Sequence, residues 1–319
     1  MIIESIKAKQ LYIINWIFKI ILLAALLLIY YLAQPLQTSK VLYIPSGSVS
    51  AIITHLKDKK IPLTSLDKTF LRFVGRPQQG WIYMGQTEMT HGDFLYKLTH
   101  AKAAMTEVTL IPGETTYTFS KELSTKLNLD ADKLYNAFKH KSPYKEGSLV
   151  PDTYKLPLGI NENEVALYLL RSSFKRHKEW SEKIFGTYNR KKWLQHLIVA
   201  SIIQKEAANK KEMPIVSSVI YNRLHKGMKL QMDGTLNYGR YSHARITASR
   251  LRTDRSPYNT YRYKGLPPFP VCNVELTAIK AAIFPAKTDY IYFMKSKNGT
   301  HKFSRYYSTH LSNIRSVTK

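Results

Sequence analysis

The sequence has 319 residues, a formal charge of +26 and a single cysteine, Cys272. The length allows two or three domains, and one cysteine excludes an internal disulfide framework. The charge indicates an anionic partner, which is nucleic acid, phospholipid head groups or an acidic polymer.

Residues 11–33 are predominantly apolar and carry one charge, Lys19, and about 20 apolar residues suffice to cross a bilayer. Lys7 and Lys9 precede this stretch, so the positive-inside tendency leaves the amino terminus in the cytoplasm and exports the rest. A cleavable signal peptide would have a shorter apolar core and a better cleavage site than "YYLAQPLQ" offers. We therefore predict a single-pass anchor in the cytoplasmic (inner) membrane.

This topology bears on the anionic partner. Nucleic acid is not the natural partner outside the cytoplasmic membrane, whereas lipid head groups and an acidic wall polymer are. The predicted organisation is a cytoplasmic tail at 1–10, a transmembrane helix at 11–33, a linker at 34–40, a small subdomain at 41–106 and a larger domain at 107–319.

The subdomain at 41–106 is predicted from alternating strand and helix patterns. A strand, a serine-capped turn and a helix come first, then a short helix in "SLDKTFLRFVG", one strand in "GWIYMGQTEMT" and a last helix in "HGDFLYKLTHAK". The next segment, "EVTLIPGETTYTFSKELSTKL", again reads as a strand, a turn and a helix. The stretch "YKEGSLVPDTYKLPLG" is rich in turn residues and predicts a loop.

Three helices and a hairpin are predicted in the rest of the chain. The first helix opens at Asn161 or Asn163, the second spans about 191–208, and the third begins near Pro214 and stops at Gly227. The chain is then mostly loop-like as far as residue 275. The segment "DYIYFMKSKNGTHKFS" predicts a hairpin.

Glu206 is the unusual residue of the second helix. It follows Ile203, Ile202 and Val199 by three, four and seven positions, which places a carboxylate on the apolar stripe. Burial and the carbonyl end of the helix both disfavour a charged carboxylate, so we expect a raised pKa that suits a general acid. The alternative is that Glu206 turns to solvent or pairs with a lysine such as Lys210.

Amides, hydroxyls and tyrosines are concentrated after this helix. Tyrosine rings can stack on sugar rings, and amides can bind hydroxyl and N-acetyl groups, although such segments are often only loops. The candidate substrate-binding residues are Asn222, Arg223, Gln231, Asp233, Tyr258, Asn259, Thr260 and Tyr261. Asp233 has the further alternative of a turn-forming aspartate before Gly234.

Other chemistries have little support in the sequence. No HExxH motif is present, and His301 and His310 lack a third spaced ligand, so no metal site is expected. The sequence also lacks a GxSxG motif and a phosphate-binding glycine loop, and we expect no cofactor. Cys272 in its proline-rich loop is expected to pack in the interior.

Seven blocks of the sequence resemble the endolytic murein transglycosylases of the MltG (YceG-like) family. They are "EGSLVPDTYKLP", "ASIIQKEA", "VSSVIYNRLHKGMKLQMDGTLNYG", "YNTY", "GLPPFPVCN", "AAIFPAKTDYIYF" and the closing "HKFS…STH". The resemblance covers nearly the whole exported part. It implies an α+β fold with an amino-terminal transmembrane helix, a LysM-like subdomain at 41–106 and a catalytic domain with a helix-borne glutamate.

The resemblance also implies a reaction. Such enzymes cut peptidoglycan strands internally between N-acetylmuramic acid and N-acetylglucosamine and leave 1,6-anhydro-N-acetylmuramic acid ends. The catalytic glutamate of the family falls on Glu206, while Gln204 stands where many members have a second acid. Phe269 and Val274-Glu275 depart from the family pattern and leave the shape of that loop open.

We therefore expect a membrane-anchored lytic transglycosylase that acts on nascent glycan strands, with cell-wall synthases as candidate partners. The alternatives are a non-catalytic peptidoglycan-binding or division-scaffold protein, and a muramidase that admits water. An aminodeoxychorismate lyase would need a pyridoxal-phosphate lysine in a cytosolic fold, which the exported topology disfavours.

Overall fold

The computed structural model describes residues 2–318. Met1 of the predicted tail and Lys319 of the predicted catalytic domain lie outside the described residues. The chain forms two compact units, Met1–Thr106 with Pro157–Gly159 and Glu107–Leu156 with Ile160–Lys319. The architecture is mixed α+β, and all the sheets within the described part of the chain are two-stranded.

The chain begins with a long helix, α1 (Ile2–Ala33), that includes most of the predicted tail as well as the predicted span. Its segment Leu11–Ala33 is 23 residues long and apolar enough to cross a membrane. The large apolar side chains of this segment are mostly exposed. A helix with an exposed apolar surface of this length fits a single-pass membrane anchor.

The first unit continues with four short strands and three helices. They are β1 (Pro35–Gln37), β2 (Val41–Ile44), α2 (Val49–Asp58), α3 (Ser65–Val74), β3 (Gly80–Tyr83), β4 (Glu88–Thr90) and α4 (His91–His100). The predicted serine cap of α2 is confirmed, since the Ser48 side chain accepts from Ala51 N. A core that includes Ile44, Leu56, Leu71 and Phe94 lies between these elements.

The prediction of one strand in "GWIYMGQTEMT" is wrong. The segment forms two strands in different sheets, because β3 pairs antiparallel with β2 while β4 pairs with β1. Gly85 lies between them with φ +84°, a backbone conformation that glycine adopts without a steric penalty. The break at this glycine separates two runs that the side-chain alternation alone makes look continuous.

The second unit contains most of the helices. Its elements are β5 (Met105–Thr109), α5 (Thr116–Leu127), α6 (Ala131–Lys141), β6 (Thr153–Pro157), α7 (Glu162–Phe185), α8 (Arg190–Glu206), α9 (Met213–His225), α10 (Ala248–Thr253), α11 (Leu276–Ile283), β7 (Tyr292–Lys295), β8 (His301–Ser304) and α12 (Tyr307–Thr318). Strands β5 and β6 extend by one or two residues past the bounds of this unit. Helix α8 packs against α9 and α11. Trp193, Leu197, Val216 and Ile279 are among the buried residues of this core.

Most sequence predictions for this unit are confirmed. Asn161 caps α7 in a capping box with Glu164, and Pro214 lies in the first turn of α9. The predicted hairpin forms from β7 and β8. The region between 227 and 275 is mostly loop, with short 3-10 turns at Asp233–Leu236 and Gly239–Tyr241.

Two predictions for this unit need correction. The loop predicted at 144–159 contains β6, which pairs with β5. Tyr154 and Leu156 are buried and alternate with exposed neighbours, the pattern of a half-buried strand. Helix α8 ends at Glu206 rather than near 208, because Ala207 leaves the helical conformation with ψ 131°.

Candidate active site

The carboxyl end of α8 positions Glu206. Val199, Ile202 and Ile203, which share its helix face, are buried in the core, so the predicted apolar stripe is present. Glu206 is the last helical residue, and its side chain is only partly exposed. The helix therefore carries the carboxyl group from the core to the edge of the fold.

Gly234 holds this carboxyl group through its backbone. Its N–H donates to Glu206 Oε1 at 2.6 Å. A Cβ at position 234 would lie 2.5 Å from Lys205 Cβ and 2.9 Å from Glu206 Oε1, so only glycine allows the turn to approach α8 this closely. Sequence reasoning treated Gly234 only as part of a turn, because the local pattern does not show which element packs against a glycine.

The environment of Glu206 raises its pKa to about 7. Burial is the main cause, because it disfavours the charged form. The hydrogen bond from Gly234 lowers the pKa, and the nearby charge of Asp233 raises it. The predicted upward shift is confirmed, and a carboxyl group with this pKa carries its proton about half of the time at neutral pH.

Most of the other acids after residue 200 have a lysine, arginine or histidine partner. Lys210, the lysine considered as a partner for Glu206, binds Glu275 at 2.7 Å instead. Asp254 and Asp289 pair with arginines, and Glu212 pairs with a histidine. Among the acids at positions 201–318 of the described structure, only Glu206 and Asp233 lack a lysine, arginine or histidine partner.

Asp233 and Tyr261 come together beside Glu206. The Tyr261 hydroxyl donates to Asp233 Oδ1 at 2.7 Å, and the Asp233 side chain is exposed. Burial, the hydrogen bond to Asp233 and the negative charges of Asp233 and Glu206 all raise the pKa of Tyr261. Tyr261 is therefore a neutral donor at physiological pH, and Asp233 places an exposed carboxylate next to Glu206.

Tyr258 forms an aromatic pair with Tyr238. The ring centroids are 4.3 Å apart with an interplanar angle of 14°, and both rings are partly exposed. The pKa of Tyr258 rises to about 12 because of burial and then the charge of Glu146. This pair offers a flat apolar surface of the kind that can stack against a sugar ring.

Asn259 and Thr260 are fully buried and bind backbone groups. Asn259 Nδ2 donates to Leu251 O at 2.9 Å and to Asp254 O at 2.8 Å. Thr260 Oγ1 accepts from Met232 N at 3.1 Å. Their polar atoms are used to hold the loops around the Asp233 turn, so the geometry favours positioning over direct contact with a sugar.

Asn222 and Arg223 on α9 are also committed to backbone carbonyls. Asn222 Nδ2 donates to Thr288 O and Tyr290 O, at 2.7 and 2.9 Å. Arg223 is buried and donates to three carbonyls, to Ile291 O at 2.6 Å, Leu230 O at 2.9 Å and Lys229 O at 3.0 Å.

Gln231 differs from its neighbours because it is exposed. Its Oε1 accepts from Arg223 Nη1 at 3.2 Å, and its φ is +50°. This left-handed conformation is uncommon for a residue other than glycine and occurs more often at functional sites. Of the residues predicted on "YNRLHKGMKLQMDG", Gln231 and Asp233 are the two with exposed side chains.

Sequence reasoning missed Glu146, a second carboxyl group with a raised pKa. It is buried and accepts from Thr116 N at 3.1 Å, Thr116 Oγ1 at 2.5 Å and Gly147 N at 3.1 Å. Burial raises its pKa to about 7 although these donors and the charge of Lys205 lower it. Glu146 stands in a turn-rich segment without periodicity, so no sequence pattern distinguished it.

A largely buried pair, Glu212 and His301, also supports the segment that follows Glu206. His301 Nδ1 lies 2.7 Å from Glu212 Oε2, and His301 N donates to Glu212 Oε1 at 2.9 Å. Glu212 in turn accepts from Ala208 N at 3.3 Å. The pair thus ties the α8–α9 connection to the β7–β8 hairpin.

Within residues 11–317, no three His, Cys, Asp or Glu side chains are placed to hold one metal ion. His310 stacks on Tyr292, with ring centroids 5.2 Å apart. Cys272 is buried, as predicted, and burial raises the pKa of its thiol. A buried thiol with a raised pKa is a poor nucleophile.

Comparisons with known proteins agree on one family. Residues 42–316 match the YceG-like family. The chain is similar to an endolytic murein transglycosylase of Bacillus subtilis, with 29% identity over 86% of this chain and 83% of the relative. A Streptococcus pneumoniae protein of the same name is 35% identical, over 31% of this chain and 19% of that relative. The crystal structure of a YceG-like protein from Listeria monocytogenes aligns with TM-score 0.55 and 26% identity, over 86% of this chain and 99% of that one.

Proposed function

The chain belongs to the YceG-like family, and from this premise we propose that it is a membrane-anchored lytic transglycosylase that cleaves peptidoglycan strands internally. The single observation that carries the proposal is Glu206, a carboxyl group with a pKa of about 7 that is held by a backbone N–H and has no cationic partner. These are the properties that a general acid needs near neutral pH.

In this proposal Glu206 acts twice on the bond between N-acetylmuramic acid and N-acetylglucosamine. As an acid it gives its proton to the glycosidic oxygen while the bond from that oxygen to the muramoyl C1 breaks. As a carboxylate it then takes the proton of the muramoyl 6-hydroxyl while O6 bonds to C1. The product end is 1,6-anhydro-N-acetylmuramic acid, and Glu206 regains the proton that it gave.

One acid suffices for this reaction, because the nucleophile is part of the substrate and is already near the reacting carbon. Hydrolysing glycosidases usually need a second carboxylate, as a nucleophile or as a base for water. Asp233 is exposed and accepts a hydrogen bond from Tyr261. In our proposal it stabilises the positive charge that develops at C1. The Tyr238–Tyr258 pair and Gln231 would contact neighbouring sugars.

A muramidase is the second candidate function, and the exposed carboxylate of Asp233 beside Glu206 favours it. If Asp233 served as the base for a water molecule, the same two residues would perform hydrolysis. The two reactions differ in their product ends, which are anhydro for the transglycosylase and reducing for the muramidase.

The remaining expectations belong to the same proposal. Helix α1 would keep the amino terminus in the cytoplasm and hold the enzyme at the inner membrane, where strands are elongated, so cleavage would end elongation next to cell-wall synthases. The β2–α2–α3–β3 order with antiparallel outer strands supports a LysM-like, glycan-holding role for the first unit.

The test is digestion of purified sacculi by the full-length protein, with mass analysis of the product ends. We expect anhydro ends from the wild type and none from Glu206→Gln. Glu182→Gln is the matched control, since Glu182 is an exposed helical glutamate paired with Lys178. Reducing ends would establish the muramidase, and equal product from Glu206→Gln and the wild type would contradict any catalytic role for Glu206.

A further inference from the structure

Helix α3 of the first unit has an apolar stripe that is largely outside the core. Leu66, Phe70, Phe73 and Val74 have the i, i+4, i+7, i+8 spacing of one helix face. Phe70 is partly buried against the core of the unit, whereas Leu66, Phe73 and Val74 are 57%, 86% and 38% exposed. The buried residues of α3 are Asp67 and Leu71. The stripe therefore needs a partner outside this unit.

The position of α3 indicates what that partner is. Tyr31 lies in the last turn of the membrane-crossing segment, and its hydroxyl is 2.8 Å from Thr64 Oγ1 and donates to Asp67 Oδ2 at 2.7 Å. Long side chains on a helix lie over the turn that precedes them. The Tyr31 hydroxyl therefore lies at least as close to the bilayer as the end of α1 does. Because this hydroxyl contacts the first turn of α3, α3 starts at the same distance from the bilayer.

The joint between α1 and α3 is tightly packed. Asp67 is fully buried and also accepts from Thr64 N at 2.6 Å, while His91 Nε2 lies 2.8 Å from its other oxygen. A Cβ at Gly92 would lie 3.4 Å from both Cβ and O of Leu32. These contacts join the end of α1 to the first turns of α3 and α4, so α3 is held close to the membrane surface.

Cationic side chains flank the stripe. Arg72 and Arg76 are exposed, and Arg72 lies on the turn between Leu66 and Phe73. An apolar face bordered by basic residues is the pattern of helices that lie in the head-group layer of a membrane. Arginines at this level can bind lipid phosphates.

We propose that α3 is an interfacial helix whose exposed stripe residues, Leu66, Phe73 and Val74, insert into the outer head-group layer of the membrane that α1 spans. Arg72 and Arg76 then contact the phosphates of anionic lipids. The first unit is in this way seated on the bilayer by two elements, one that crosses it and one that lies along it. The proposal depends on the anchor and not on the catalytic reaction.

The test measures the depth of spin labels on the full-length protein in vesicles of phosphatidylglycerol and phosphatidylethanolamine. Cysteines replace Leu66, Phe73 or Lys68 one at a time, and the buried Cys272 stays unlabelled. Lys68 is the matched control, because two positions after Leu66 a side chain points to nearly the opposite side of a helix. For each label we measure the ratio of its collision rate with oxygen to its collision rate with a water-soluble nickel complex. We expect this collision ratio to be several-fold higher at positions 66 and 73 than at position 68.

Equal collision ratios at all three positions would overturn the proposal. Spin–spin broadening at 66 and 73 that grows with the protein-to-lipid ratio would overturn it as well, because the stripe would then bind a second copy of the chain.

A further variant tests the lipid contact. Arg72→Glu with Arg76→Glu should lower the ratio at 73 in anionic vesicles but not in zwitterionic ones, and the same decrease in both kinds of vesicle would contradict binding to anionic phosphate.

Discussion

Replacement of Glu206 by glutamine should make the protein more stable, and the gain should depend on pH. The folded protein holds the Glu206 proton up to a pH of about 7, whereas an unfolded chain releases it near 4.5. The stability that the protonated group contributes is therefore fully present below 4.5 and is lost as the pH rises to about 7. Glutamine is neutral throughout and can still accept the Gly234 hydrogen bond.

The magnitude follows from the shift. One pKa unit corresponds to about 1.4 kcal/mol, so the change from 4.5 to about 7 corresponds to roughly 3 kcal/mol. Partial exposure of the carboxyl group allows water to screen its charge and makes this an upper value. Relative to the wild type, Glu206→Gln should gain up to about 3 kcal/mol in free energy of unfolding between pH 4 and pH 9.

The assay is urea unfolding of wild type and variant at several pH values, followed by tryptophan fluorescence. A background with Trp16→Phe and Trp81→Phe leaves Trp180 and Trp193, which pack in the core of the second unit. Other titrating groups cancel in the difference between the two proteins. A difference that stays constant from pH 4 to pH 9 would refute the claim that its surroundings raise the pKa of Glu206.

Three further predictions concern the neighbours of Glu206. Gly234→Ala should abolish activity and cost about 1–3 kcal/mol of stability, because the new Cβ would collide with Lys205. An activity above half of the wild-type value would contradict this prediction. Tyr261→Phe frees Asp233 from its hydrogen bond and should lower kcat more than it changes KM, so an effect on KM alone would indicate only binding. Burial raises the pKa of Glu212, but hydrogen bonds from its partner His301 outweigh burial, so the pKa lies below its ordinary value. Glu212→Gln should therefore destabilise the protein by about 1–3 kcal/mol at pH 7. The loss should shrink as the pH falls below about 4, and a loss that grew in acid would contradict the pairing.

Local patterns in the sequence were sufficient for several elements. The length of the apolar segment, an asparagine cap at 161 or 163 and the start of α9 near Pro214 were predicted, and the structure contains all three features. Each depends on residues a few positions apart, where helical spacing and capping act. The position of Glu206 on a buried stripe, and with it the raised pKa, is predictable for the same reason.

The same patterns were misleading where two elements shared one run of residues. The alternation from residue 80 to residue 90 gives no sign that β3 and β4 pair with different partners, because pairing depends on strands elsewhere in the chain. In the sequence, the amides of Asn222 and Asn259 cannot be distinguished from amides that bind a sugar. Their commitment to backbone carbonyls appears only after the loops are folded around them.

Local sequence patterns were enough to predict an amino-terminal apolar helix and, later in the chain, a helix that ends in a carboxyl group beside buried apolar residues. The groups that surround this carboxyl group depend on tertiary packing. Gly234 lies 28 positions from Glu206, Glu146 lies 30 positions from Thr116, and His301 lies 89 positions from Glu212. Helical periodicity reaches only a few residues along the chain, so contacts over such separations are set by how the elements pack.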